Sequence, residues 1–341
     1  MSKSTNIFLI LILIIIVVVG GYFLISFNVF KKNIGNEENV YKVGILSGLD
    51  FFDDTTIGFK LEMEKLGYKE GKNIVYDIEK TNFDTKAYER ILTKFINEDV
   101  DLIFVFPTEA ALMAKDLTKE TKIPVLFANA SIEGVDLIDS LSKPGINITG
   151  VRRPDQEIAV ERFNIMREIL PSAKRIMIPY QRGYSIVAGE LEKLQSEAKG
   201  VGIEFIELPA DNGAELASNL QNYIKEKGVD FDAVLLIAEP LTTVSGNVLE
   251  MAKILDSYKI PIGGILFDTN EFNTLFGFNV DNVVAGGQAA PMADRILTGT
   301  SAGSIPVVTA RTFLQINLKA AERLGIKISN NILSRASEVV R

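Results

Sequence analysis

Short apolar runs alternate with segments of helical periodicity along most of the chain. Leu102 to Phe106 is an unbroken run of five apolar residues, as a strand of a parallel sheet buried on both faces requires. Phe59, Met63 and Leu66 recur at i, i+4 and i+7, which predicts one apolar face of a helix. Repeated alternation of such strands and helices is typical of a doubly wound α/β domain.

The alternation occurs twice, and each half has Lys-Ile-Pro before its fourth predicted strand, at residues 122–124 and 259–261. The predicted strands are 43–46, 74–78, 102–106, 124–128, 175–179, 204–208, 233–237 and one that begins at Pro261. The helix that contains Phe59 is followed by predicted helices at 85–97, 109–118, 157–170, 186–199, 214–227, 244–258, 284–297 and 317–324. Two lobes of the same topology are therefore expected.

The C-terminal stretch has too few elements for a third domain, so we expect it to complete both lobes. Lobe 1 is predicted to contain residues 41–153 and about 279–304, and lobe 2 residues 154–278 and about 305–341. Several chain crossings between two such lobes indicate a hinge, and the cleft between the lobes is the predicted binding site.

The N-terminal part of the chain is typical of a membrane segment. Residues 4–30 contain no charged side chain, and the apolar stretch 7–30 is 24 residues long, whereas a membrane-spanning helix needs roughly 20. No Ala-x-Ala cleavage site precedes Lys31. We therefore predict an N-terminal transmembrane helix as an uncleaved anchor in residues 1–32 and a linker over 33–40. Lys3 with the amino terminus on one side and Lys31 with Lys32 on the other nearly balance, so the charges do not decide the orientation, and it is the character of the body that favours the extracytoplasmic face. A cleaved signal is the alternative.

Composition excludes several classes of chemistry. The 341 residues contain no Cys, His or Trp, which removes disulfides, Cys/His zinc sites and every His-dependent catalytic triad. The first 32 residues hold three Lys and no acid, so the remainder carries 33 basic and 44 acidic groups, a net charge of −11. A body with this net negative charge is repelled by the phosphates of nucleic acid, so we expect no nucleic-acid partner.

Motifs for catalysis are also missing from the sequence. There is no Gly-rich phosphate loop with Lys and Ser or Thr, no nucleophile elbow and no acidic cluster with calcium-loop spacing. We therefore predict no catalytic residue, no metal and no cofactor, and we expect a protein that is not an enzyme.

The carboxyl ends of the lobe 1 strands carry candidate ligand contacts, because ligands of open α/β sheets bind beyond these ends. Gly48 permits close backbone approach, and Phe51 offers a ring, although a core position is the alternative for that ring. Thr108 is predicted as a helix N-cap whose hydroxyl either binds a carboxylate or only caps the helix. The candidates in lobe 1 are Ser47, Gly48, Asp50, Phe51, Thr108, Asn129 and Ser131.

Several ordered motifs resemble a known family. They are LGYKEGKN at 66–73, IPVLFA at 123–128, PGINITGV at 144–151, INLKAAERLG at 316–325 and ILSRA at 332–336. Together they are similar to signatures of the ABC transporter substrate-binding proteins of the tryptophan-binding-protein-like family. The resemblance implies a type I periplasmic-binding-protein fold, with two α/β lobes joined by three crossings, and a ligand such as an aromatic or other amino acid.

The chain departs from that family's pattern at three places. Ser131-Ile132-Glu133 stands where the family usually has Ser-Asp-Pro, and Glu239-Pro240 where it often has Asp-Asn. An anchor replaces the lipidated Cys of Gram-positive members. These departures leave the implied fold unchanged and weaken what the resemblance implies about the ligand.

Lobe 2 supplies the remaining candidate ligand contacts. A zwitterionic amino acid needs an acceptor for its ammonium, and a carboxylate in a cleft is the strongest one. Glu239 and Asp268 follow strands on the expected edge, so one of them is predicted to accept it, with a hinge salt bridge or a helix cap as the alternative. Tyr184 is predicted to cover the side chain of the ligand, with surface exposure as the alternative, and Ser185 follows it in the sequence. Arg152 and Arg153, at the first crossing, are equally suited to pair with surface acids or with a ligand.

The sequence therefore predicts a solute-binding protein of an ABC importer. It captures a small solute between the lobes, closes, and is recognised by a permease that works with an ATPase subunit. The alternative is a ligand-sensing ectodomain that signals to a separate membrane partner.

Overall fold

The alternation of strands and helices is present in the computed structural model, which describes residues 40–81 and 84–341. The strands are β1 (Tyr41–Ser47), β2 (Ile74–Lys80), β3 (Leu102–Phe106), β4 (Val125–Ala130), β5 (Ile148–Arg152), β6 (Arg175–Gln181), β7 (Glu204–Ala210), β8 (Ala233–Leu235), β9 (Ile262–Gly263), β10 (Phe276–Val280), β11 (Val308–Thr309), β12 (Thr312–Asn317) and β13 (Glu338–Val340). The helices are α1 (Asp53–Lys65), α2 (Thr85–Asn97), α3 (Thr108–Thr118), α4 (Asp155–Ile169), α5 (Val187–Lys199), α6 (Gly213–Lys227), α7 (Pro240–Thr243), α8 (Ser245–Ser257), α9 (Asn282–Leu297), α10 (Leu318–Leu324) and α11 (Asn330–Arg335).

Lobe 1 is built on a six-stranded parallel sheet in the order β11-β5-β4-β3-β1-β2. Successive residues of β3 enter different apolar clusters, as the two-residue repeat of a strand requires. Phe104 packs with residues of α1 and α9. Ile103 and Val105 pack with residues of α2 and α3. The strand is therefore apolar throughout because helices cover both faces of its sheet.

Lobe 2 is built on a smaller parallel sheet in the order β7-β6-β8-β9. A bridge between Gly264 and Gly277 joins this sheet to a second one, β10-β12-β13. Residues of α4, α5, α10 and α11 form one apolar cluster with β6 and β8, and residues of α6 and α8 form another. Each lobe thus has its own core, which confirms the predicted α/β architecture.

The chain passes between the lobes at three places, which lie side by side. The first is between β5 and α4, the second between β10 and α9, and the third between β11 and β12. The Ala310 N–H donates to the Arg152 carbonyl over 2.9 Å, and the Asp281 N–H donates to the Arg311 carbonyl over 3.0 Å. These hydrogen bonds join the three crossings into one hinge.

Element boundaries agree best with the sequence where periodicity is strong. Helix α2 and strand β3 have the bounds that the sequence predicts. Near the C-terminus, Val308–Thr309 pairs with β5, so the lobe 1 sheet extends past the predicted boundary near residue 305. Thr108 is the first residue of α3, and the N-cap is Pro107, which corrects the prediction that Thr108 caps this helix.

The predicted N-terminal anchor, residues 1–32, lies outside the described residues, as do residues 33–39 of the predicted linker. Within residues 40–81 and 84–341, no helix is both long enough and apolar enough to cross a membrane.

Helices α1 and α9 approach so closely that glycine is required on both. A Cβ on Gly58 would lie 1.9 Å from the Val283 carbonyl oxygen, and a Cβ on Gly286 would lie 2.0 Å from the Thr55 carbonyl oxygen. The neighbouring Gly287 has its nearest contact at 4.0 Å. This packing attaches α9, which follows the second crossing, to lobe 1.

We expect Gly286→Ala to lower the free energy of unfolding by about 1–3 kcal/mol, because overpacking forces the two helices apart. Gly287→Ala, in the same helix, is the matched control, and we expect it to be neutral or stabilising by up to about 1 kcal/mol. Urea unfolding followed by circular dichroism measures both. Equal stability of the two variants would show that α1 and α9 are not packed this tightly.

Candidate functional site

A cavity lies between the two lobes, at the carboxyl ends of their parallel strands. Its volume is about 480 Å³, including open solvent at its mouth. The position agrees with the rule that ligands of open α/β sheets bind beyond the strand ends.

The lobe 1 wall of the cavity combines apolar and polar groups. Aromatic rings come from the turn after β1, where Phe51 and Phe52 contact each other with ring centroids 5.3 Å apart. The polar groups follow β3 and lie in β4. Lobe 1 contributes Leu49, Phe51, Phe52, Pro107, Thr108 and Asn129.

Asn129 is held in an unusual backbone conformation that aims its side chain at the cavity. Its φ is +49°, and the register of β4 against β5 shifts between Ala128 and Ala130. The side chain is 2% exposed, and its Nδ2 donates to Thr55 Oγ1 over 2.7 Å. Its Oδ1 is buried and has no hydrogen-bond partner among the described residues. Asn129 therefore offers a free acceptor, which is costly to bury unless a ligand satisfies it.

Thr108 lines the cavity but its hydroxyl is already engaged. Oγ1 accepts from the Ser131 N–H over 2.9 Å, which links the start of α3 to the chain after β4. Its role in the structure is thus to hold two cavity-forming segments together. The Ser131 hydroxyl turns toward Glu133, at 3.1 Å.

A buried ion pair lies at the first crossing. Arg153 Nε donates to Asp155 Oδ1, and both residues line the cavity. Arg153 is 6% exposed and Asp155 is 4% exposed. Burial raises the pKa of Asp155, and the charge of Arg153 opposes that rise. Arg153 Nη2 is buried with no partner in the described part of the chain, so the guanidinium still has a free donor.

The lobe 2 wall is formed by the ends of β6 and β8. Besides Asp155 it contributes Tyr184, Ile186, Ala238, Glu239, Pro240 and Thr243. Burial and the nearby carboxylate of Glu109, on lobe 1, raise the pKa of Tyr184 above its usual range. The tyrosine therefore faces the opposite lobe across the cavity.

Glu239 is the N-cap of α7 as well as a cavity residue. Its carboxylate accepts from the Leu241 N–H over 2.7 Å and from the Thr242 N–H over 3.1 Å, with Pro240 at the first helical position. Burial raises the pKa of Glu239 to about 7. Glu239 can thus be a helix cap and a cleft carboxylate at the same time.

Asp268 lies outside the cavity. It accepts from Asn317 Nδ2 at 3.4 Å and is 3.8 Å from Lys319 Nζ, in a loop of the lobe 2 surface. This placement corrects the expectation that Asp268 shares the cleft, and it leaves Glu239 as the cleft carboxylate of that pair.

Other candidates from the sequence lie near the cavity without lining it. Ser47 is buried and donates to the Leu49 carbonyl at 3.2 Å. Gly48 is needed for packing, because a Cβ there would lie 2.4 Å from Tyr88 Oη. Asp50 and Ser185 are exposed. Ligand contact by these residues stays a prediction, as it does for Ser131.

Sequence reasoning left Arg153 undecided and missed Asp155. Both follow β5 within three residues, and the general rule about strand ends could have selected them together. It also missed apolar contacts such as Ile186 and Pro240, which carry no chemical signal in the sequence. Among the described residues, no group of three or more acidic side chains is arranged to hold a metal ion.

Comparison with known proteins assigns the family. The model of the family described as ABC transporter substrate binding protein matches residues 42–340. The chain belongs to this family. A substrate-binding protein of Clostridioides difficile, named tyrosine-binding protein, is 26% identical over 305 residues, which are 88% of this chain and 84% of that protein.

Solved structures confirm the fold expected of a type I substrate-binding protein. A conserved domain protein from Vibrio cholerae has a TM-score of 0.74 and 27% identity, and the match covers 88% of this chain and 100% of that one. An ABC domain from Streptococcus pneumoniae in complex with L-Trp has a TM-score of 0.73 and 22% identity, with 89% and 100% covered.

The buried carboxyl of Glu239 makes the stability of this substrate-binding protein depend on pH. Its pKa is raised from 4.5 to about 7 in the folded state, so the native protein retains a proton that the unfolded chain releases. Below pH 4.5 both states are protonated, and from pH 4.5 to 7 the native state loses stability as pH rises. Over this pH range the free energy of unfolding falls by about 3 kcal/mol in total.

We expect Glu239→Gln to remove this pH-dependent part of the free energy of unfolding. The stability of the variant relative to wild type should then increase as the pH rises from 4.5 to 7. Urea unfolding of both proteins across that range measures the difference, and Asp268→Asn is the control. A difference that stays constant with pH would contradict a raised pKa for Glu239.

Proposed function

We propose that the protein is the extracytoplasmic solute-binding protein of an ABC importer, and that it captures an amino acid with an aromatic side chain between its lobes. The observation that carries the proposal is the cavity itself. It is lined by both lobes, and it contains two buried polar groups, Arg153 Nη2 and Asn129 Oδ1, that lack partners among the described residues. Buried polar groups are nearly always hydrogen-bonded, so a bound solute is the natural partner for these two.

Ligand binding and closure of the two lobes are thermodynamically coupled in this geometry. Phe51 and Thr108 belong to lobe 1, whereas Tyr184 and Glu239 belong to lobe 2, and a solute touches all four only when the lobes are closed. The solute therefore binds the closed state better than the open state and shifts the population toward it. A permease that recognises the closed shape then receives loaded protein preferentially.

An aromatic amino acid fits the walls of the cavity. Phe51, Phe52 and Tyr184 supply rings, and Pro107 and Ile186 supply further apolar surface. Rings prefer offset or edge contacts with other rings, which adds to the effect of burial alone. The proposal agrees with the name of the Clostridioides difficile relative and with the L-Trp complex of the Streptococcus pneumoniae domain.

The apolar N-terminal stretch is the proposed tether to the cytoplasmic membrane. Residues 1–32 contain the uncharged 24-residue segment, and the chain then needs only residues 33–40 to reach β1. So short a linker keeps the lobes close to the membrane, where the permease and ATPase subunits of the importer would receive the solute.

Calorimetry on the full chain in detergent micelles, with L-tyrosine and L-tryptophan as probes and myo-inositol as the control, tests the proposal. We expect saturable binding of at least one of the two amino acids, together with a smaller radius of gyration by X-ray scattering. Failure of both amino acids to bind or to compact the protein would refute the aromatic amino acid as the solute.

We expect Phe51→Ala to weaken binding of the aromatic amino acid by about 10-fold, because the variant loses one ring contact in the cavity. Tyr258→Ala is the matched control, since Tyr258 is a half-exposed ring that does not line the cavity. Calorimetric titration compares the two. Equal affinity of both variants would place the ligand side chain away from Phe51.

A further inference from the structure

Among the residues that the structure describes, Arg153 is the one cationic side chain that lines the cavity. It is 6% exposed, and Asp155 occupies only its Nε. The Nη2 group remains buried without a partner in the described residues. A guanidinium presents its donors in a planar fork that matches a carboxylate, so the free donor favours a ligand that carries one.

The acceptors of the cavity favour a cation in the same ligand. Asp155 and Glu239 supply two carboxyl groups against the single guanidinium of Arg153. The buried Asn129 Oδ1 adds an acceptor without a partner in the described part of the chain. Asp155 already accepts from Arg153, and Glu239 accepts from two backbone N–H groups, so the cavity acceptor without a partner among the described residues is Asn129 Oδ1. A ligand with a carboxylate alone would leave this oxygen unpaired, whereas the ammonium of a zwitterion satisfies it.

The free donor and the free acceptor stand on neighbouring strand ends. Asn129 is in β4 and Arg153 directly follows β5, which pairs with β4. The Arg153 N–H donates to the carbonyl of Ala130, the residue after Asn129, over 2.9 Å. Adjacent strands are about 4.8 Å apart. The two residues therefore start from adjacent backbone positions at the same edge of the sheet, and both line the cavity.

We infer that the cleft recognises the free α-carboxylate and α-ammonium of an amino acid together, with Arg153 Nη2 donating to the carboxylate and Asn129 Oδ1 accepting from the ammonium. The inference rests on the proposed solute-binding function. It makes Arg153 and Asn129 the specificity-determining residues of the site. Amino acid amides, amines without a carboxylate, and acids without an amine are then poor ligands, as are sugars and other uncharged polyols.

Ligands that differ by one group test this inference on the full chain in detergent micelles. Calorimetry compares L-tyrosine with tyramine and L-tyrosinamide, which lack the carboxylate charge, and with 4-hydroxyphenylpropionate, which lacks the ammonium. For wild type we expect each of the three to bind at least about 30-fold more weakly than L-tyrosine, the effect of one hydrogen bond to a charged group. If L-tryptophan is the amino acid that binds, then tryptamine, L-tryptophanamide and indole-3-propionate replace the three.

Variants connect each ligand group to its residue. In Arg153→Gln we expect the affinity for L-tyrosine to exceed that for tyramine by no more than about 3-fold. In Asn129→Ala we expect the affinity for L-tyrosine to exceed that for 4-hydroxyphenylpropionate by a similarly small factor. Arg153→Lys retains the charge next to Asp155 and serves if the Gln variant does not fold. The matched control is Arg152→Gln, because the neighbouring Arg152 lies outside the cavity and pairs with Glu133 at 2.6 Å and with Glu157 at 2.8 Å.

The outcomes separate this inference from the proposed function. Wild-type protein that binds L-tyrosine and tyramine equally well, or that binds a polyol in place of amino acids, overturns the inference while solute binding stands. The inference also fails if Arg153→Gln weakens every ligand by the same factor, or if Arg152→Gln alters the preference as much as Arg153→Gln does. Wild-type protein that binds none of the solutes refutes the proposed function itself.

Discussion

The buried ion pair between Arg153 and Asp155 is the interaction on which the site depends. It lies where β5 of lobe 1 gives way to α4 of lobe 2, so the same two residues belong to the hinge and to the cavity wall. A buried charge destabilises the folded state unless an opposite charge lies beside it. Loss of either Arg153 or Asp155 therefore leaves the other charge uncompensated. The pair therefore fixes the direction of the guanidinium, and Nη2 is left inside the cleft without a partner among residues 40–81 and 84–341.

A second constraint places the remaining site residues around that pair. All strands of the two main sheets run parallel, so their carboxyl ends lie on the same side of each sheet. The hinge then turns these two edges toward each other, and short polar or aromatic loops meet across the gap. Glu239 illustrates the consequence, because one carboxylate caps α7 and also faces the opposite lobe. Glu239 is 2% exposed, and this burial raises its pKa.

The sequence predicted the fold well because local signals determine most of it. The apolar run of β3 and the periodicity of α2 define those elements within a residue, and the strand-end rule selected Phe51, Asn129 and Glu239 as cavity residues. What the sequence could not supply were contacts between distant segments. The Thr108 hydroxyl bonds to the Ser131 backbone across 23 positions in the chain, and no local pattern reveals that choice. Asp268 was placed in the cleft and Arg153 was left undecided for the same reason, since their partners are set by tertiary packing.

The central claim of this account is that a free amino acid lies between the lobes with its carboxylate on the hinge arginine. A crystal structure of the protein with bound L-tyrosine or L-tryptophan tests it most directly. The account predicts the ligand carboxylate within hydrogen-bond distance of Arg153 Nη2, the ammonium facing Asn129 Oδ1, and the ring among Phe51, Phe52 and Tyr184. A ligand outside this cavity, or one whose carboxylate points to solvent while Arg153 Nη2 stays unpaired, would contradict it.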